Sequence, residues 1–120
     1  MSNILIVSAN KSARGAWASA LVSKGHVVTL MANGDEAITK HLPEFYNRGM
    51  VQLLISDTRL EGPIQGEQFT KEVKKGYGVL PILMIAKGIL KNHGAKKVLF
   101  EPFDGKDLVT AAELLIKAYA

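Results

Sequence analysis

The sequence predicts an α/β domain: a doubly wound, five-stranded parallel sheet with helices on both faces. Three observations carry this. The runs Ile4-Leu5-Ile6-Val7, Leu53-Leu54-Ile55 and Ile82 to Ile85 are continuously apolar rather than alternating, as in strands covered on both faces. Stretches with helical spacing separate them. Glycine, proline and small polar residues punctuate the junctions.

After the first strand, Ser8-Ala9-Asn10 makes a polar turn. Lys11 to Lys24 then places Ala13, Trp17, Ala20 and Leu21 on one helical face. Asn10 or Ser12 is the expected cap and Gly25 the expected stop. Val27 to Met31 is a β-branched second strand. Asp35 to about Phe45 reads as a helix, with Pro43 expected to kink or end it near Leu42. Val51 to Ser56 is the third strand, with Asp57 at its end. A loop to Gly66 leads to a short helix, Glu67 to Lys75, with Phe69 and Val73 inward. The fourth strand follows Pro81, and Val98 to Phe100 is the fifth. Asp104 caps a last helix whose apolar face is Leu108, Ala111, Ala112 and Leu115.

With 120 residues, 1–120 is expected to form one domain that buries roughly 65% of its unfolded surface. There is no cysteine, which excludes a disulfide framework and thiolate metal sites. The apolar run Ile4 to Val7 is too short for a signal peptide or a membrane span, so a soluble, cytoplasmic protein is expected. The formal net charge is +4, and its distribution is uneven. Lys71, Lys74, Lys75, Lys87, Lys91, Lys96 and Lys97 share a stretch whose only acid is Glu72. Such a surplus either keeps the surface solvated or attracts an acidic partner. His26, His41 and His93 have no ligand spacing, no glycine fingerprint follows a strand, and Ser8 lacks the glycines of a nucleophile elbow. Enzymatic catalysis is not expected.

In doubly wound sheets the functional groups lie beyond the C-terminal ends of the strands. Here those ends carry Ser8, Ala9, Asn10, Asp57, Ala86, Lys87 and Glu101. In order and spacing, several segments resemble a bacterial response-regulator receiver domain: Ile4 to Val7, Ala32 to Ala37, Leu53 to Asp57, Leu80 to Ile85, Gly94-Ala95, and Val98 to Phe103. The resemblance covers almost the whole chain. It implies the strand order 2-1-3-4-5, a phosphoacceptor at Asp57, and a cis bond before Pro102.

Against that pattern the chemistry is degenerate. The family's Mg²⁺-binding acidic pair falls on Ser8 and Ala9, its hydroxyl residue on Ala86, its lysine on Glu101 and its switch aromatic on Val98. Mg²⁺ requires hard, charged oxygens in near-octahedral array, so weak or absent binding is expected, with Asp57 and the Arg59 carbonyl as the remaining ligands. Phosphoryl transfer depends on cations and donors around the equatorial oxygens, and Glu101 puts a negative charge there instead. Asp57 is expected to be structural, paired with Lys87 or Arg14. Ser8 and Asn10 are expected to cap the first helix in preference to bonding Asp57.

The segment Lys87 to Lys97, with Gly88, Asn92 and Gly94, is too short and helix-poor for a full fourth helix. It is expected to be exposed and mobile, with Lys87, Lys91, Lys96 and Lys97 bordering a partner surface. The leading expectation is a pseudo-receiver that signals by protein–protein interaction, its partner a kinase, an output domain or a second copy. The alternatives are a true phosphoacceptor using Asp57, and a small-ligand or nucleic-acid binder using the lysine-rich 71–97 face. Nucleic acid is not expected for this domain alone.

Overall fold

A computed structural model describes all 120 residues. Five parallel strands run β1 (Asn3–Val7), β2 (Val27–Met31), β3 (Leu53–Asp57), β4 (Ile82–Ala86) and β5 (Lys97–Phe100). Their order across the sheet is β2-β1-β3-β4-β5, the predicted order. The three central strands are almost fully buried, which explains their unbroken apolar sequences. The edge strands β2 and β5 are largely exposed.

The pleat divides the core in two. Ile4, Ile6, Leu53, Ile55, Leu83 and Ile85 face α1 (Lys11–Val22) and the last helix, α4 (Gly105–Ala118), meeting Trp17, Leu21, Leu108 and Ala112. Leu5, Val7, Leu54 and Ile82 face the opposite layer, where Ala37, Leu42, Phe69 and Val73 pack. Phe69 and Val73 belong to α3 (Gly66–Gly76).

The helix ends follow local chemistry. Asn10 caps α1 by accepting the Ala13 amide at 3.0 Å. Asp104 and Asp107 form a reciprocal capping box on α4. Gly25, at φ 87°, lies where the chain leaves α1.

The helical segment 34–48, here α2, departs from expectation. It does not end at Leu42, although its hydrogen-bonding pattern changes there. An α turn (Gly34–Glu36) passes into a π segment (Ala37–His41), then α (Leu42–Phe45) and 3₁₀ (Tyr46–Arg48). Leu42 N–H bonds the carbonyl of Ala37, five residues back. The π turn inserts one extra residue just before Pro43, where a regular α-helix would set the ring against the carbonyl four residues back.

No helix forms between β4 and β5, as the sequence predicts, but residues 87–96 are tied down rather than loose. Glu67 Oε1 accepts the amides of Lys91 (3.0 Å) and Asn92 (2.7 Å), and Thr70 Oγ1 accepts that of Gly94 (3.0 Å). The segment is therefore strapped to α3 by side chains more than 20 residues away, a linkage invisible in its own composition. The Glu67 carboxyl is held below its ordinary value by the Asn92 amide first, with the Lys91 amide adding to it. A depressed carboxyl stabilises the folded form above the unfolded value and loses that contribution as pH falls through the folded value. The strap should thus release only in acid, below the usual carboxylate range. In an NMR pH titration, the Lys91 and Asn92 amide shifts should move together there. Glu67→Gln should abolish that transition, and a transition that survives the substitution would assign it elsewhere.

Candidate functional site

The C-terminal ends of β1, β3, β4 and β5 bring Ser8, Asp57, Ala86 and Glu101 together, as their positions in the chain require. Asp57 is completely buried, as are Ser8 and Ala86. The Glu101-Pro102 bond is cis, as predicted. Ala86 presents only a methyl group, and its carbonyl accepts the Glu101 amide at 2.8 Å. Lys87 is exposed.

The cation that holds Asp57 is Arg59, not Lys87 or Arg14. Arg59 grips the carboxylate with two donors, Nε to Oδ1 at 3.0 Å and Nη2 to Oδ2 at 3.2 Å. Its backbone N–H adds a third bond to Oδ1, at 3.2 Å. Its Nη2 also donates to Glu101 Oε1 at 2.6 Å, so one guanidinium bridges two carboxylates. Those two bonds raise the Arg59 pKa, the one to Asp57 most, which keeps the charge fixed at any physiological pH. Arg14 lies at the rim and donates from Nη1 to the Ser8 carbonyl at 2.6 Å.

Ser8 bonds Asp57 after all. Its hydroxyl donates to Oδ2 at 2.7 Å while accepting the Asn10 amide at 3.1 Å; Asn10, not Ser8, caps α1. The Asp57 carboxylate therefore receives four good hydrogen bonds, two on each oxygen, which fills its acceptor capacity. The Thr58 hydroxyl, at 3.5 Å from Oδ1, is too distant to add to them. No buried side-chain polar atom in the molecule lacks a partner.

The loop that presents Arg59 is itself braced. The Arg59 carbonyl accepts the Ala9 amide at 2.9 Å. The Gln65 side chain closes the loop through the Leu60 amide (3.1 Å) and the carbonyls of Leu60 (2.9 Å) and Gly62 (3.2 Å). Gly66 packs so closely on the Asp57 carbonyl and Thr58 Cα that any β-carbon there would collide with backbone.

These residues do not fit Mg²⁺. Ser8 and Ala9 offer no carboxylate, the Arg59 carbonyl is engaged, and a guanidinium covers the one buried acid. A divalent cation would have to displace Arg59 while still lacking a charged ligand set. No group of three or more acids, histidines or cysteines converges anywhere in the fold.

No family model matches the sequence, and no curated protein matches it. Solved structures do. The receiver domain of NtrX from Brucella abortus matches at 24% identity and TM-score 0.81, over 96% of this chain and 98% of that one. CheY4 of Vibrio cholerae, a chemotaxis response regulator, matches at 26% identity and TM-score 0.81, again over 96% and 98%. A receiver domain protein from Clostridium thermocellum reaches TM-score 0.85 at 20% identity, over 98% and 96%. Against the longer NtrX chain, the present sequence covers only 28% of that chain. By its strand order, its layers and its structural neighbours, the chain has the fold of response-regulator receiver domains and is similar to them over nearly its whole length.

Proposed function

We propose that this chain is an atypical, pseudo-receiver domain. It acts in the cytoplasm by binding another protein in one standing conformation, without Mg²⁺-dependent phosphorylation of Asp57. One observation carries the reading: Arg59 occupies both oxygens of Asp57 and ties them to Glu101. A phosphoacceptor must present a free lone pair to phosphorus and a ligand oxygen to the metal. Asp57 has neither without breaking an ionic hydrogen bond in a buried site. The guanidinium supplies internally the positive charge that a metal and a lysine would bring from either side. The partner is a kinase, an output domain or a second copy, and of the four exposed lysines Lys87, Lys91, Lys96 and Lys97, the pair Lys96 and Lys97 is proposed to take part in recognising it.

Titration with Mg²⁺, followed by the amide shifts of Asp57 and Thr58 or by Trp17 fluorescence, tests the metal side of this reading. Only weak, non-saturating changes are expected up to millimolar concentrations. Saturation at sub-millimolar Mg²⁺, abolished by Asp57→Asn, would contradict it.

A further inference from the structure

The lysines that form one stretch in the sequence separate into two groups in space. Because β4 and β5 are parallel and in register, Lys97 lies beside Leu83 near the start of β4, while Lys87 follows Ala86 at its end. That places the two roughly 13 Å apart along the strand direction. Lys87 therefore belongs to the Asp57 end. Lys96 and Lys97 belong to the opposite end, where α3 and α4 also terminate with Lys74, Lys75 and Lys117 in their last turns.

That opposite end also carries an apolar groove of about 450 Å³, walled by Tyr46, Val51, Val79, Leu80, Pro81 and Tyr119. Val79 is 73% exposed at its mouth. Leu80, Pro81 and Tyr119 also line a small adjoining cavity of about 60 Å³, whose other walls include Lys74 and Lys96. Lys96 Nζ stands 6.0 Å from the centre of the Tyr119 ring. Of the lysines at this end, Lys75 pairs with Glu72 at 3.6 Å, while Lys74, Lys96, Lys97 and Lys117 make no ion pair. Lys74 and Lys96, both without an ion pair, thus border a hydrophobic slot lined by two tyrosines.

We propose that this end of the sheet, remote from Asp57, docks an acidic protein segment that inserts an aliphatic or aromatic side chain between Val79, Leu80 and Tyr119. The lysines supply attraction and salt sensitivity, and the groove supplies the anchor. A nucleic-acid backbone would use the charge and leave the groove empty, so a peptide fits the surface better. The inference rests on the reading that the domain works through a protein partner. It is independent of whether Asp57 is ever phosphorylated.

The wild-type chain would be panned against a phage-displayed random peptide library, and the enriched peptide synthesised. The expected winners combine Asp or Glu with Leu, Phe or Trp, and shift the amides of Val79, Leu80, Lys96 and Tyr119. The Lys74→Glu/Lys96→Glu variant should bind about tenfold more weakly with an unchanged melting temperature, since both side chains are exposed. Lys87→Glu/Lys91→Glu, at the other end, should bind like wild type. No acidic enrichment, shifts confined to the Asp57 end, equal binding by the Lys74/Lys96 variant, or loss only in the Lys87/Lys91 variant would each overturn the proposal. So would displacement of the peptide by duplex DNA with no shifts in the groove.

Discussion

Arg59→Met is expected to destabilise the domain by about 3 kcal/mol at neutral pH, because it strips the cation from a carboxylate that is fully buried in the wild-type fold. For a domain of this size that corresponds to a fall in melting temperature of roughly 10 °C. This loss is at the low end for a broken buried pair, since the Arg59 side chain is 40% exposed and Ser8 and the backbone amide of residue 59 still donate to the carboxylate. Methionine keeps much of the arginine stem's packing, so the loss reports on charge. The decisive control is the cycle with Asp57→Asn. If the damage is an unpaired charge, Asp57→Asn should cost far less in the Arg59→Met background than in wild type, or should restore stability. Additive losses would mean that Arg59 acts by packing alone. Urea denaturation of the four proteins decides between these.

A second large effect is expected when the family's chemistry is rebuilt. Ser8→Asp, Ala9→Asp, Ala86→Thr and Glu101→Lys together replace the missing carboxylates, hydroxyl and cation. From sequence alone these four changes suffice for labelling by a small phosphodonor. The structure adds a fifth requirement, because Arg59 remains free to fork onto Asp57 and now has two further carboxylates beside it. The four-site variant should therefore label poorly in phosphoramidate with Mg²⁺. Adding Arg59→Ala should raise the labelled fraction by at least roughly tenfold, the effect of freeing a reacting group from a competing ion pair of 1.4 kcal/mol or more. Intact mass spectrometry reads the outcome. Equal labelling of the two variants would remove Arg59 from the explanation.

Much of the fold was legible because it rests on short-range signals. Unbroken apolar runs mark β1, β3 and β4, and Asn10 and Asp104 mark the helix starts. The π segment was not legible: Pro43 announces a disturbance, but only the packing of Ala37 and Leu42 against the sheet decides that the helix persists through it. The site was half legible. Ser8, Asp57, Ala86 and Glu101 share the strand ends to which the sequence reading assigned them, whereas the cation of Asp57 was sought at Lys87 and Arg14. A signal for Arg59 was present, since residues two apart at an extended strand end project to the same side. The acidic Glu101 is the complementary clue. An acid stands where the resemblance calls for a lysine, and Arg59 is the cation that pairs with it. The strap from Glu67 to residues 91 and 92, and the division of the lysines between two ends of the sheet, depend on long-range register that no local pattern encodes.

Asp57 is proposed to be an engaged, structural acid. The most direct test is the intact mass of the wild-type chain after incubation with phosphoramidate and millimolar Mg²⁺, followed by peptide mapping of residues 53–66. The prediction is an unmodified mass under conditions that label a competent receiver run alongside. A stoichiometric phosphoryl adduct on Asp57 would contradict it, and would mean that Arg59 leaves the carboxylate readily enough for the site to work.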